Sequence, residues 1–208
     1  MTELPALIAA FTTIFIIIDP PGLAPLYIAL TQGMGAAQRR AIGLRACLVA
    51  GVLMLLFLFL GEAVLRFIGI SMPAFRIAGG VLLFITALDM LFERRQTRRK
   101  GNADEGADPG HDPSVFPLAI PLIVGPGLIT TIILLAGQAT SAADFAAITA
   151  VMAANLIIVF LFFLASGTIE RILGKVGINV VTRILGMLLA ALAVQFILDG
   201  LRSFGFSG

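Results

Sequence analysis

The stretch Ile18-Asp19-Pro20-Pro21-Gly22-Leu23 interrupts a long apolar run, Leu4–Leu30, near the start of the chain. A run of this length can cross a bilayer as a helix, because about 20 residues span the hydrocarbon core. Proline removes an amide donor and glycine permits unusual dihedral angles, so the helix is predicted to break near its middle. A second apolar run, Phe116–Ala136, carries a similar break at Gly125-Pro126-Gly127. The sequence therefore predicts two discontinuous membrane spans.

The composition places the whole chain in a membrane. Of its 208 residues, 59% are hydrophobic and 12% are charged, whereas about 25% of the residues of soluble domains are charged. The mean hydropathy is +1.06. An amphipathic piece, Glu62–Ile70, follows the second span. The prediction is an all-α integral membrane protein with six transmembrane helices, which are Leu4–Leu30, Ala41–Leu60, Met72–Phe92, Phe116–Ala136, Ala142–Ala165 and Ile178–Leu201.

One polar stretch divides the chain into two halves. It begins with Glu93-Arg94-Arg95 and continues through a segment rich in glycine and aspartate. This composition is typical of a disordered linker. The predicted organisation is a first three-helix repeat at residues 1–92, a charged linker at 93–115 and a second three-helix repeat at 116–208.

Short motifs recur in the same order in both halves. Pro21-Gly22-Leu23 returns as Pro126-Gly127-Leu128, and Arg76-Ile77-Ala78-Gly79 returns as Arg183-Ile184-Leu185-Gly186. The two offsets, 105 and 107 residues, are nearly equal. Because each half has three spans, an odd number, the second half must enter the membrane from the opposite face. The sequence thus predicts an inverted repeat with helices 1 and 4 discontinuous.

The positions of lysine and arginine predict the orientation. Basic residues concentrate in the loops after spans 1, 3 and 5, whereas the loop after span 4 has none. Cytoplasmic loops carry an excess of Lys and Arg, so both termini are predicted to be periplasmic and the central loop cytoplasmic. The net charge of +2 is explained by this asymmetry, and we expect no nucleic-acid partner. The basic residues are Arg39, Arg40 and Arg45, then Arg94, Arg95, Arg98, Arg99 and Lys100, then Arg171 and Lys175.

The two breaks are the predicted substrate-binding site. In inverted-repeat transporters the substrate binds near the midplane, where discontinuous helices meet. The second half-helices would direct their positive N-terminal ends at a substrate carboxylate. A carboxylate such as Asp19 deep in the membrane costs at least about 2.5–3.5 kcal/mol, so Asp19 needs a role. It can bind a coupling H⁺ or Na⁺, accept a substrate ammonium, or cap the half-helix that starts at Pro20.

Further polar residues at membrane depth have two interpretations each. Arg76 and Arg183 occupy equivalent positions in the repeats, where they can form gating ion pairs or act as anchors at the interface. Thr130 and Asn155 can contact a small polar solute or form hydrogen bonds between helices. The predicted substrate-binding residues are Asp19, Pro20, Pro21, Gly22, Gly125, Pro126, Gly127, Thr130 and Asn155.

The chain offers little for catalysis or metal binding. Cys47 is the only cysteine and His111 the only histidine, and His111 falls in the linker. We therefore expect no enzyme activity, no metal site and no cofactor.

With these motifs the chain resembles the MarC family of bacterial inner-membrane proteins. The resemblance rests on Asp19-Pro20-Pro21-Gly22-Leu23-Ala24-Pro25 and on Ile123-Val124-Gly125-Pro126-Gly127-Leu128-Ile129-Thr130-Thr131, and it extends over essentially the whole length. The family looks related to LysE-type exporters, and its archaeal relatives are regarded as transporters of small neutral amino acids. Pro21 fills a variable position of the motif. The resemblance singles out Asp19, Pro20, Gly22, Pro25, Gly125, Pro126 and Gly127.

The expected function is secondary transport of a small solute across the inner membrane. The resemblance favours a neutral amino acid such as glycine or alanine, with possible coupling to H⁺ or Na⁺. The expected partners are the lipid bilayer and this small-molecule substrate. Two alternatives remain, which are an ion channel or pore built from the same breaks and a non-transporting membrane partner that acts through the central loop.

Overall fold

The structure, a computed structural model, describes residues 3–95, 99, 101 and 112–205. Most of the predicted linker, including Arg98, Lys100 and His111, lies outside the described residues. Throughout the described ranges the regular structure is helical. Among these described residues, five helices are long and apolar enough to cross a membrane, and a bent helix pair raises the number to six. The predicted all-α membrane fold is confirmed.

Eight helical elements follow one another in the part of the chain that the structure describes. The first broken span is α1 and α2, the second is α5 and α6, and α8 contains an internal kink at Gly174 (φ 60°, ψ −178°). The bounds are α1 Leu4–Ile18, α2 Pro20–Leu30, α3 Ala36–Ile68, α4 Met72–Leu91, α5 Ser114–Ile123, α6 Pro126–Ala136, α7 Ala142–Leu164 and α8 Ser166–Ser203.

Two spans are longer than the sequence pattern predicts. The predicted amphipathic piece Glu62–Ile70 is not separate, because α3 continues without interruption to Ile68 and ends at Gly69 in a left-handed conformation. A helix of 33 residues is about 50 Å long, so it extends beyond a hydrocarbon core of about 30 Å. Likewise α8 begins at Ser166, well before the predicted start at Ile178, and its first turns precede the kink.

The first break is made by Asp19 together with the prolines that follow it. Asp19 ends α1 in a left-handed conformation (φ 57°, ψ 65°) and is also the N-cap of α2. Asn and Asp tolerate this conformation better than most residues. Pro20 and Pro21 occupy the first positions of α2, where no amide donor is needed. The Asp19 carboxylate accepts a hydrogen bond from the Gly22 amide at 3.2 Å, which fixes the start of α2.

The second break is wider and more irregular. The segment α5 contains Pro117 and Pro121, and the residues before them, Phe116 and Ile120, have extended backbone dihedrals. Proline disfavours the helical region for the residue that precedes it, which explains both interruptions. The axes of α5 and α6 differ by 64°. The break predicted at Gly125-Pro126-Gly127 is present, and α6 begins at Pro126.

The broken spans form the centre of the molecule. In the most apolar part of the first span 61% of the residues are buried, against 22–33% in α3, α4, α7 and α8. The outer helices present large apolar side chains away from the protein, as a bilayer-facing surface requires. On α3 these exposed side chains are Leu44, Leu48, Val52, Leu56 and Phe59.

The packing partners of the two halves correspond. The first half-helix of each broken span packs on the middle helix of the other half, α1 on α7 and α5 on α3. The second half-helix packs on the last helix of the other half, α2 on α8 and α6 on α4. Two repeats related by a two-fold axis would exchange partners in this way. The opposite membrane orientation of the repeats stays a prediction.

Small residues allow α4 and α8 to approach closely, and this is the most extensive helix contact in the molecule. A Cβ built on Gly80 would lie 2.8 Å from the carbonyl oxygen of Ala193, and one on Gly200 would lie 3.0 Å from that of Pro73. Gly186 similarly faces the carbonyl of Ala87 at 3.2 Å. Membrane helices associate through such small-residue contacts, because van der Waals packing and not the hydrophobic effect holds them together.

We therefore expect Gly80→Ala to lower the free energy of unfolding by about 1–3 kcal/mol, the usual cost of an overpacked contact. The control is Gly51→Ala, also within a helix, where the new Cβ meets only the end of Leu156 at 3.3 Å. Alanine has the higher helix propensity, so the control is expected to keep or gain stability. Unfolding by SDS in mixed micelles measures both. Equal midpoints for the two variants would contradict the close α4 to α8 contact.

Candidate functional site

A cavity of about 360 Å³ lies where the two helix breaks approach each other. Its volume falls at the small end of the range for small-molecule sites, about 300–1,000 Å³. Its wall is formed by the end of α1, by α4 and the residues after it, and by the α5 to α6 break. The lining residues are Ile17, Leu82, Ile85, Thr86, Asp89, Arg95, Arg99, Pro121, Leu122, Ile123, Gly125, Pro126, Gly127 and Leu128.

The second break faces the cavity directly. Gly125, Pro126 and Gly127 line it, and their predicted role in substrate binding stays a prediction. Gly127 is the second residue of α6, so its amide has no carbonyl partner within the helix. The start of α6 also carries the positive end of the helix dipole, which favours an anion. This part of the wall is suited to a carboxylate.

The two breaks adjoin at Gly127. A Cβ built there would lie 3.7 Å from Cγ2 of Ile17 in the last turn of α1 and 3.0 Å from Cδ2 of Leu83 on α4. The absence of a side chain at Gly127 therefore keeps this part of the cavity open. The close approach explains why glycine stands at this position of the motif.

Asp19 lies behind the cavity wall and not on it. Its carboxylate is fully buried and accepts hydrogen bonds from the Gly22 amide, from the Thr182 hydroxyl at 3.3 Å and from the Arg99 guanidinium at 3.3 Å. A side chain on Gly22 would collide with this carboxylate, which explains the glycine three residues after the aspartate. The structure thus gives Asp19 the predicted capping role, and its other predicted roles, in binding an ammonium, H⁺ or Na⁺, stay predictions.

Two arginines from the segment after α4 reach into the site. Arg95 donates to the carbonyl of Ile17, and Arg99 donates to the carbonyl of Ile18 at 2.9 Å. These carbonyls belong to the last turn of α1, where no intrahelical donor is available and the helix dipole is negative. Arg99 is 5% exposed. Both guanidinium groups satisfy the broken backbone and also line the cavity.

Arg95 and Arg99 both fall within the predicted linker, which itself stays a prediction. Residues 93–115 have the composition of a disordered segment, yet Arg95 and Arg99 pack against the first break. The reason is electrostatic, because a buried carboxylate such as Asp19 requires a cation close by. A signal was present in the sequence, since Arg95 and Arg99 are four residues apart, the spacing that places two side chains on one face if a segment is helical. Thr86 and Thr182 were also missed, and their hydroxyls carry no comparable signal.

The wall combines positive and negative charge. Arg95 and Arg99 contribute two guanidinium groups next to the α6 start, and Asp89 contributes a carboxylate from α4. Asp89 lies near the end of α4 and is not among the residues predicted for the site. A ligand with one carboxylate and one ammonium group matches this arrangement of charges.

Several predicted site residues lie away from the wall. Pro20, Pro21 and Gly22 are buried at the start of α2. The Thr130 hydroxyl donates to the Pro126 carbonyl at 3.0 Å. The Asn155 side-chain amide donates to the carbonyls of Val151 at 3.0 Å and Phe11 at 3.4 Å, so it ties α7 to α1. For Thr130 and Asn155 the structure provides the hydrogen-bonding roles, and solute contacts stay predictions.

The repeat-related arginines differ from each other. Arg183 on α8 forms an ion pair with Glu93 of the first half at 2.7 Å, and both side chains are about half exposed. Arg76 has no ion-pair partner among the residues that the structure describes. An exposed pair contributes little to stability, typically 0.2–1 kcal/mol. A gating role stays a prediction for both arginines.

Metal ligands are sparse near the site. Within the described residues no group of three His, Cys, Asp or Glu side chains is placed to hold a metal ion. The titratable groups of the cavity are one acid and two arginines.

Comparison with known proteins identifies the family. The model of the MarC family of integral membrane proteins matches residues 4–204. The chain belongs to the MarC family. The predicted resemblance is confirmed, and the chain is an integral inner-membrane protein.

Members of this family from distant organisms are similar over nearly the whole chain. A UPF0056 membrane protein of Archaeoglobus fulgidus is 41% identical over 196 residues, 93% of this chain and 91% of the relative. A UPF0056 membrane protein of Aquifex aeolicus is 35% identical over 198 residues, 94% and 92% of the two chains. The UPF0056 inner membrane protein YhgN of Escherichia coli K12 is 35% identical over 196 residues, 94% and 96% of the two chains. No solved structure matches the chain.

Proposed function

We propose that this MarC family protein is a secondary transporter of a small zwitterion, in the simplest case a neutral amino acid such as glycine or alanine. The observation that carries the proposal is the cavity at the two helix breaks, with two arginines and the α6 start on its wall together with one acid. Small-molecule sites in transporters with discontinuous helices have this construction.

Each charged end of the substrate has a counterpart. The carboxylate would bind to Arg95, Arg99 and the Gly127 amide, because guanidinium groups and helix starts both favour carboxylates. The ammonium would lie toward Asp89 and the last carbonyls of α5, which have no partner within that helix. Asp19 would act indirectly, by holding Arg99 in place.

Transport would follow from movement of one half against the other. The packing partners α4 and α8 come from opposite halves, as do α3 and α7, so a rocking motion at these contacts would expose the cavity to each side in turn. The two carboxyl groups at the site, Asp19 and Asp89, are the groups available for coupling to H⁺ or Na⁺. The role proposed is that of a carrier and not of an enzyme.

The test is counterflow of labelled glycine and alanine into proteoliposomes that contain purified protein. Unlabelled amino acid inside the vesicles is expected to drive saturable accumulation of label, which a channel cannot produce. Arg95→Gln is expected to reduce counterflow, and the control is Arg94→Gln, an exposed neighbour with the same change of charge that does not line the cavity.

Two results would contradict the proposal. One is the absence of counterflow for the twenty amino acids under H⁺ and Na⁺ gradients, with protein shown to be folded by its melting curve. The other is equal activity of Arg95→Gln and Arg94→Gln, which would mean that the cavity wall takes no part in transport.

A further inference from the structure

A second cavity, of about 300 Å³, lies at another place in the molecule. It is formed where α2 and the start of α3 meet the junction of α7 and α8, and it shares no lining residue with the first cavity. Three of its lining residues are Arg39, Arg40 and Arg171. We refer to this second cavity as the arginine pocket.

The arginine pocket is positively charged without internal compensation. None of the three arginines forms an ion pair within the part of the chain that the structure describes, and no Asp or Glu lines the pocket. Five other arginines form ion pairs with acids: Arg45 with Asp112, Arg66 with Glu62, Arg99 with Asp19, Arg183 with Glu93 and Arg202 with Asp199. Converging arginines without acids are a feature of anion sites.

Arg39 is held in place by its neighbours. Its guanidinium lies over the ring of Tyr27, 5.6 Å from the centroid, and Tyr27 in turn stacks on Phe163 at 4.4 Å. The Tyr27 hydroxyl donates to the Arg39 carbonyl at 2.6 Å, and the Arg39 guanidinium lies 3.5 Å from the Ser166 hydroxyl. The main cation of the pocket is therefore oriented before any ligand binds.

Hydroxyl groups and helix starts complete the wall. Ser166 and Thr168 lie in the first turn of α8, and Ala36 is the first residue of α3. Amides in the first turn of a helix lack intrahelical carbonyl partners and add positive potential. The pocket thus offers guanidinium and hydroxyl donors to an anion with several oxygen atoms.

We propose that the arginine pocket binds a phosphate group, with the headgroup of an anionic phospholipid or free phosphate as the two possible sources. Arginine matches phosphate oxygens in two-pronged hydrogen bonds. The pocket lies at the ends of α2, α3, α7 and α8, where lipid headgroups surround a membrane protein, and basic pockets between helices bind such headgroups. This proposal is independent of the transport function proposed above.

The experiment measures melting temperatures of the purified full-length protein in neutral detergent. One arm titrates dioleoylphosphatidylglycerol against dioleoylphosphatidylcholine, and the other titrates inorganic phosphate against chloride at equal ionic strength. The pocket variant is Arg40→Gln with Arg171→Gln. The matched control is Arg66→Gln with Arg202→Gln, which removes the same charge at exposed positions outside the pocket.

The pocket variant is expected to bind the stabilising ligand at least about tenfold more weakly than the wild type does. The control is expected to bind the ligand as the wild type does. Stabilisation by phosphatidylglycerol alone identifies the lipid as the source, and stabilisation by inorganic phosphate identifies the free anion. The proposal is overturned if neither ligand stabilises the wild type, or if both variants respond alike. All these side chains are solvent-accessible or at the surface, so the melting temperature without ligand reports whether each variant is folded.

Discussion

Removing either charge of the buried pair Asp19 and Arg99 is expected to lower the free energy of unfolding by about 3–5 kcal/mol, because the remaining buried charge loses its hydrogen-bonded ion-pair partner. The Asp19 carboxylate is fully buried and the Arg99 side chain is 7% exposed. Asp19→Asn keeps a group that can cap α2, so the expected loss comes mainly from the unpaired guanidinium. Arg99→Gln also removes the donor to the Ile18 carbonyl.

The double variant Asp19→Asn with Arg99→Gln shows whether the two residues stabilise the protein as an interacting pair or independently of each other. Its loss of stability is expected to be smaller than the sum of the two single losses, because it removes both members of the ion pair together. The reference is the exposed pair Glu93 and Arg183, for which each single substitution to glutamine is expected to cost about 1 kcal/mol or less. Unfolding by SDS in mixed micelles gives the loss of stability of each of these five variants. Strictly additive losses for Asp19 and Arg99 would contradict the pairing.

Replacing Gly127 with leucine is expected to weaken solute binding by about tenfold to a hundredfold, since an overpacked contact costs about 1–3 kcal/mol. The new side chain would meet Leu83 and Ile17 and would enter the cavity between the breaks. Gly127→Ala is expected to have a smaller effect, because the Cδ2 atom of Leu83 can move away. Equilibrium binding of labelled amino acid to purified protein measures this series.

The control for Gly127 is Thr130→Val on the same helix. Thr130 does not line the cavity, and its hydroxyl bonds only to the Pro126 carbonyl among the described residues. This variant is expected to bind solute as the wild type does. Loss of binding in Thr130→Val with retention in Gly127→Leu would favour the solute contact that the sequence suggests for Thr130 over the cavity geometry.

The sequence was sufficient for the elements that depend on local chemistry. Apolar length predicted the spans, and proline with glycine predicted both breaks, because these effects act on neighbouring residues. The end of α3 was harder to predict, since Glu62 and Arg66 form a polar pair that looks like the end of a span but lies on a continuous helix.

The composition of the site depended on contacts between distant residues. Asp19 was recognised because a buried carboxylate is costly, but its partner Arg99 lies 80 residues away in a segment with the composition of a linker. The sequence places Asn155 at membrane depth, where a substrate-binding residue and a packing residue look alike. Its role in packing α7 on α1 follows only from the position of the Phe11 carbonyl, to which its side-chain amide donates. Periodicity and motif spacing carry no information of this kind.

The approach of the two helix breaks is tested most directly by a disulfide cross-link between Ile17→Cys and Gly127→Cys, in a chain that also carries Cys47→Ala. The Gly127 Cβ position lies 3.7 Å from Cγ2 of Ile17, which is bonded to the Ile17 Cβ. The two Cβ atoms are therefore at most about one bond length farther apart, so a shift of less than about 1 Å brings them into the range of about 3.5–4.5 Å that a disulfide needs. Mild oxidation is expected to join the two cysteines within one chain, seen by mass spectrometry as loss of both free thiols, and to abolish amino acid binding until a reductant is added. Two free thiols that persist under oxidation in folded protein would mean that the breaks do not meet, and the cavity between them would have no basis.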